Sequence, residues 1–265
     1  MKELGIIIPM HEFGKENIEL LNKAIESVPE DMPIYLSTPK GTTPAKIKGA
    51  SNRLNLVVSD EEGSSFAELV ENGVNAFANN PDVKWFSILE FDDTYTPIWL
   101  DNAKRYIDFM PDTSVFMFLE DITDFNDGKY IGFGNAEVWA SSFSNELGYI
   151  DTDSLQNYFN FYLTGSIFNL KDWLEVGGLK PHIILTFWYE WLLRATNKGK
   201  KVFVIPKVGY NHSQNREGSL VSIYRGGMSE EEVQWHFDLA KREYFFKEER
   251  DISKYIFKKD EKKND

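Results

Sequence analysis

Three carboxylates crowd one short stretch of this chain: Glu90, Asp92 and Asp93, within WFSILEFDDTYTPIWL from Trp85 to Leu100. Phe86, Ile88, Leu89 and Phe91 form the kind of apolar run found in a strand buried on both faces. An uncompensated carboxylate in a dry core costs several kcal/mol, so these acids belong at the strand's exit, facing a cation or a crevice. A solvated acidic turn is the alternative. Pro97 closes the stretch, because proline cannot donate to a central ladder. A second group of interest is basic: Lys198, Lys200, Lys201 and Lys207, with Arg216 and Arg225 beyond. Such a cluster could hold phosphates, or it could be a solvated face.

The elements that must position these residues follow from periodicity. Strands are expected at 4–9, 33–37 and 54–58, and helical stripes at 17–28 and, after a turn at 62–64, at 65–78. The carboxylate strand comes next, then a helix at 99–110 and a strand at 114–119. Alternation at this spacing implies mostly parallel βαβ units, in which ligands bind beyond the carboxyl ends of the strands. Residues 121–158 read as loop-rich, with one hairpin around 130–140. Beyond them the reading is a strand over 161–169 interrupted at Thr164-Gly165, and a short helix over 170–176 closed by Gly177-Gly178. A helix over 184–197 and a strand over 201–205 halted by Pro206 follow. A capping box at Ser229–Glu232 opens an amphipathic helix to Phe246, and the tail from Lys247 is expected to fray. The expected division is a main domain over 1–228 and a helical extension over 229–265.

The 265 residues are 42% hydrophobic and 15% aromatic, ample for a large core. There is no cysteine, which excludes a disulfide framework and thiolate metal sites and fits a reducing compartment. The aliphatic run before Pro9 is too short for a signal peptide, and no apolar stretch approaches the roughly 20 residues of a membrane span. A soluble, cytoplasmic protein without a membrane partner is therefore expected. A net charge of −13 argues against broad adhesion to polyanions.

Taken in order, IIIP at 6–9, LEFDD at 89–93 with Pro97, TGS at 164–166, VGG at 176–178, YEWLLR at 189–194 and the His212–Arg216 segment resemble family-2-type glycosyltransferases with the GT-A fold. The resemblance covers about residues 4–220. It implies a Rossmann-type α/β architecture and transfer of a sugar from a nucleotide diphosphate to an acceptor hydroxyl. It implies Mn2+ or Mg2+ as cofactor, because a departing nucleoside diphosphate gathers negative charge that a divalent cation neutralises. By resemblance Asp92 is the metal ligand, with His212 as a further one and a hydrogen-bonded loop histidine as its alternative. Glu90 and Asp93 support through ribose or water, and Arg216 forks onto the diphosphate. Pro9, His11, Asn72, Thr164, Gly165 and Trp188 complete the substrate-binding set.

Glu190 takes the place of the base that removes the acceptor proton. The family has Glu-Asp there, whereas this chain has Tyr189-Glu190. Phe187, Trp188 and Trp191 around it would raise a carboxyl pKa by desolvation, or serve as core or a sugar-stacking platform. Residues 209–246 are similar to glycosyltransferase-like proteins of large bacteriophages, which puts a hydroxylated base in DNA beside glycan and protein as acceptor. Two rivals stand: a nucleotidyltransferase, whose Gly- and basic-rich loop MHEFGKEN lacks, and a non-catalytic sugar-binding protein of the same fold.

Overall fold

The computed structural model describes residues 3–59 and 65–245, so the expected turn at 62–64 and the tail from 247 lie outside the described residues. The elements run β1 (Leu4–Pro9), α1 (Lys15–Ser27), β2 (Ile34–Thr38), β3 (Leu54–Val58), α2 (Phe66–Ala78), β4 (Trp85–Ile88), β5 (Thr94–Tyr95), α3 (Trp99–Phe109), β6 (Val115–Asp124) and β7 (Tyr130–Gly134). After them come β8 (Tyr149–Ile150), β9 (Ile167–Asn169), α4 (Leu170–Val176), α5 (Phe187–Asn197), β10 (Val202–Gln214), α6 (Leu220–Arg225) and α7 (Glu230–Phe245).

The described strands join one sheet in the order β3-β2-β1-β4-β9-β6-β10-β5, with β7 on β6 and β8 on β10. The first four in that order are parallel, as are β6 and β10; β9 runs antiparallel between the two blocks. This is the mixed, mostly parallel α/β sheet that the sequence predicts. Every residue of β1 is buried because both faces are covered. One core holds residues of α2, α4 and α5, the other those of α1 and α3. Burying each such Leu, Ile or Phe contributes about 1.5–3 kcal/mol. Ser65 caps α2 as a full capping box: its hydroxyl accepts from the Glu68 N–H, and the Glu68 carboxylate accepts from its own.

Three expectations need correction. The strand does not stop at Pro206: β10 continues to Gln214, because the proline falls in a bulge. The five steps of β10 from Ile205 to Tyr210 span the two steps of β6 from Phe118 to Glu120. The freed edge is taken up by the 94–96 turn, where Thr96 N–H donates to the Gly209 carbonyl at 2.9 Å. Second, β6 runs on to Asp124, into what reads as loop, since β10 and β7 flank it throughout. Third, only residues 167–169 of the expected 161–169 strand pair. The C-terminal helix α7 shares the main core: Ala240 is buried, and the Phe237 ring lies 4.2 Å from that of Phe159.

Candidate active site

The strand β4 ends at Ile88, and Leu89 adds one more bond, from its N–H to the Ile7 carbonyl at 2.9 Å. The chain then turns through Glu90–Asp93, closed by the Asp93 N–H on the Glu90 carbonyl at 3.2 Å. The acids thus sit at the carboxyl end of a central strand beside Pro9 and His11 at the end of β1. The half of β10 beyond its bulge comes alongside. Asp93 is 2% exposed and fully engaged there. Its Oδ2 accepts from His212 Nδ1 at 2.9 Å, and its Oδ1 accepts the Ser213 N–H at 2.7 Å. These charge-assisted bonds are what allow a carboxylate to be buried at this position. Arg216 donates from Nε to Asp92 Oδ2 at 2.5 Å and from a terminal nitrogen to Glu12 Oε2 at 3.3 Å. Its guanidinium lies 4.8 Å above the Phe91 ring.

The cations do not fully offset the acids. Burial, then Asp93 and Asp92, push the Glu90 carboxyl well above the usual carboxylate range. Burial and Asp93 raise Asp92 too, outweighing its pairing with Arg216. Burial opposes charge on His212. Asp93, its hydrogen bond, and the nearby Glu120 and Glu90 outweigh that and raise the His212 pKa above the ordinary histidine value. Glu120 is a residue the sequence reading missed. It is 1% exposed on β6, both its carboxyl oxygens lack a hydrogen-bond partner, and burial drives its pKa far up. The period-two pattern Phe118, Glu120, Ile122 was the available signal, and it was hidden by ending the strand at Leu119.

One crevice gathers Pro9, His11, Glu90, Asp92 and Arg216 from the expected set. To these the structure adds Phe66, Phe91, Phe187, Ser219 and Tyr224. The Phe66 and Phe187 rings stack at 5.2 Å as one wall. Asp93 and His212, paired with each other, do not line it. Asn72 is half-buried on α2, outside the crevice.

Thr164-Gly165 packs against the site from within. The Gly165 N–H donates to the Ile88 carbonyl at 2.7 Å, and its own carbonyl accepts from Trp99 Nε1 at 2.9 Å. Its φ is +74°, and a Cβ there would fall 2.3 Å from the Tyr210 ring, so only glycine fits. Both backbone groups are therefore engaged inside the protein rather than presented to a sugar. Trp188 is stacked on Phe168 at 6.1 Å and serves the core, while its neighbour Phe187 faces the crevice.

Glu190, the expected base, lies apart from the crevice and is held in an ion-pair network. It is 1% exposed and does not line the crevice. Arg194 donates to both its oxygens, at 3.0 and 2.8 Å, Lys180 approaches to 2.7 Å, and the Tyr244 hydroxyl donates at 2.8 Å. Burial alone would raise its pKa, but these donors hold it below the usual range. Arg194 also caps the carbonyls of Val176, Gly177 and Gly178, so the Gly-Gly turn hangs from the same ion pair. The lysine cluster is likewise internal in part. Lys200 bridges Asp172 and Glu175 at 2.6 Å each, and Lys198 donates to the Glu175 and Val176 carbonyls.

Among the described residues no group of three His, Asp or Glu side chains converges as a ready metal site. The oxygen donors of Glu90 and Asp92, both in the crevice, are of the kind Mg2+ and Mn2+ prefer. His212 donates Nδ1 to Asp93, which leaves Nε2 as the nitrogen a metal would take, the pairing by which a carboxylate orients a ligating histidine.

No family model and no curated relative matches the chain by sequence. Solved structures do match its fold. Staphylococcus aureus TarS superposes with a TM-score of 0.57 at 15% identity, over 99% of this chain and 46% of that one. The TarS 1–349 complex with UDP-GlcNAc gives 0.60 at 13% identity, over 97% of this chain and 76% of that one. A mannosyltransferase of Pyrobaculum calidifontis, PcManGT, in complex with GDP-Man and Mn2+, gives 0.62 at 14% identity, over 91% of this chain and 64% of that one. The chain thus spans less than half the length of the first of these. The fold is that of the GT-A glycosyltransferases.

Proposed function

We propose that this chain is a glycosyltransferase of the family-2 type, drawing on a nucleoside diphosphate sugar. The observation that carries the reading is the crevice at the carboxyl ends of β1 and β4, where Glu90 and Asp92 face Arg216. Carboxylates and a guanidinium meeting in one crevice suit a diphosphate with its counter-cation, and an aromatic wall suits a base or sugar face. Asp92 and Glu90 would hold Mn2+ or Mg2+, whose chemistry is to neutralise charge on the departing diphosphate. Arg216 binds the diphosphate oxygens, and Asp93 fixes the orientation of the His212 ring beside the acids. The neighbours in complex with UDP-GlcNAc and GDP-Man make a hexose donor the first choice.

The acceptor hydroxyl we assign to a glycan. A DNA acceptor would rest on the phage-like 209–246 segment and the 198–207 lysines; Lys200 is paired with Asp172 and Glu175, Lys198 is held by two backbone carbonyls, and the net charge of −13 opposes contact with a polyanion. Among the described residues no helix is long and apolar enough to cross a membrane. A second reading, nucleotide-sugar binding without transfer, is favoured by one observation: the expected base Glu190 is fully ion-paired.

Calorimetric titration of UDP- and GDP-sugars with and without Mn2+ tests the donor site. Mass analysis of glycans, protein and hydroxymethylated DNA after incubation tests the acceptor. Metal-dependent binding with a one-sugar mass gain on a glycan is the expected result; binding with neither transfer nor donor hydrolysis would select the second reading. No binding of any nucleotide sugar would end both.

A further inference from the structure

The crevice has a cavity volume of only about 50 Å³. Sites for small molecules and cofactors occupy about 300–1,000 Å³, so a nucleoside diphosphate sugar does not fit until something moves. The side chains that close the space include Arg216, Ser219 and Tyr224, all from the segment between β10 and the end of α6. Arg216 ties that segment down. It is 7% exposed and bridges Asp92 and Glu12. Glu12 is a fixed post, since Asn17 Nδ2 donates to it at 3.0 Å from the first turns of α1. Arg216 is flanked by two residues with left-handed backbone, Asn215 at φ 66° and Gly218 at φ 78°. The chain turns sharply at both.

We propose that Arg216 is an exchangeable internal cation, with Glu12 as the positioning residue that holds it in reserve. In the ligand-free protein Arg216 neutralises Asp92 and keeps the segment shut. On loading, Arg216 yields Asp92 to a divalent cation, the segment swings out on Asn215 and Gly218, and the guanidinium is released for the diphosphate. Metal and nucleotide then help each other bind, because each removes the competitor that the other faces. This rests on the donor-site reading above for the nucleotide half alone.

The test measures Mn2+ binding to the full chain without nucleotide, by the paramagnetic resonance of free Mn2+. Glu12→Gln removes a nearby carboxylate, so simple charge attraction predicts weaker Mn2+ binding. Exchange predicts the reverse: loosening Arg216 tightens Mn2+ by about tenfold, since a binding-competent state of low population reduces apparent affinity in proportion. Arg216→Gln should tighten Mn2+ at least as much, while losing about tenfold in UDP or GDP affinity at saturating Mn2+; Glu12→Gln should keep that affinity. Weaker or unchanged Mn2+ binding in Glu12→Gln, with the fold intact by circular dichroism, overturns the proposal. If the Mn2+ pattern holds but neither UDP nor GDP binds to any form, the exchange stands and the nucleotide-sugar reading falls.

Discussion

Two centres among the described residues set a buried acid against cations, around Glu190 and around Asp92, and they have opposite characters. Around Glu190 both oxygens are matched: Lys180, Arg194 and Tyr244 surround one carboxylate, its pKa falls, and it does not line the crevice of Asp92. Around Asp92 the acids outnumber their partners. Glu90 and Asp92 are pushed up, Glu120 has no partner at all, and the cluster opens on a crevice. A buried ion that is fully compensated holds structure together, whereas one left in deficit is poised to take up a cation. The residue types alone do not tell the two apart.

The largest expected effect comes from breaking the compensated centre. Glu190→Gln removes the buried acid shared by the half-buried Lys180 and Arg194 and should destabilise the protein by about 3 kcal/mol, lowering Tm by about 6–12 °C in a calorimetric scan. Nucleotide affinity of the folded variant should stay within about twofold. A variant of normal Tm that has lost only transfer would return Glu190 to the role of base and undo the contrast.

In the deficit centre the outcome reverses. Asp92→Asn should leave Tm within a few degrees while weakening Mn2+-dependent UDP or GDP binding by about tenfold or more, roughly 1.4 kcal/mol. Retained affinity would mean that Asp92 is only Arg216's counter-ion. A smaller change is expected for the wall. Phe187→Ala should weaken nucleotide-sugar binding by about fivefold, near the ~1 kcal/mol of one aromatic contact, with metal binding unaltered.

The subtlest contrast is in acid. Glu190 has a lowered folded pKa, so its stabilisation is present above the ordinary 4.5 and is lost as pH falls through the folded value. Glu71 has the opposite sign. It is raised mainly by burial, against the Leu179 N–H that donates to it at 2.9 Å, so the folded chain keeps this proton to higher pH than the unfolded one and loses stability as pH rises past 4.5. Denaturant melts of Glu190→Gln and Glu71→Gln over pH 3–7 should show slopes changed in opposite senses. Equal slopes would remove the distinction between them.

Much of this was readable before any coordinates. Residues 4–9, 54–58 and 170–176 are bounded by proline, turn residues and Gly-Gly, and their elements fall where those signals put them. The carboxylates fall at the strand's exit because a dry strand cannot hold them. What stayed hidden depends on partners far away in the chain. Glu190 and Asp92 are equally acidic on paper, and only Lys180 and Tyr244, or their absence, separates them. Lys200 read as a phosphate ligand until Asp172 and Glu175 came beside it. Pro206 read as a stop because a bulge is a property of two strands together, and the partner strand is ninety residues upstream. Phe66 and Phe187 carry ordinary amphipathic positions, with nothing local to mark the face they share.

The bulge in β10 has a consequence for how this chain tolerates change in length. Side chains along a strand alternate with a period of two, so parity decides which face each one meets. Between Ile205 and Tyr210 the strand carries three residues more than β6 does, an odd number, and Ile205 and Tyr210 consequently share the buried face. The bulge acts as a phase shifter between a half tuned to the core and a half tuned to the crevice. Residues unpaired in the bulge can be lost or gained while Tyr210 and His212 keep their partners Glu120 and Ile122. A one-residue change beyond Tyr210, in the paired half, would instead turn His212 away from Asp93.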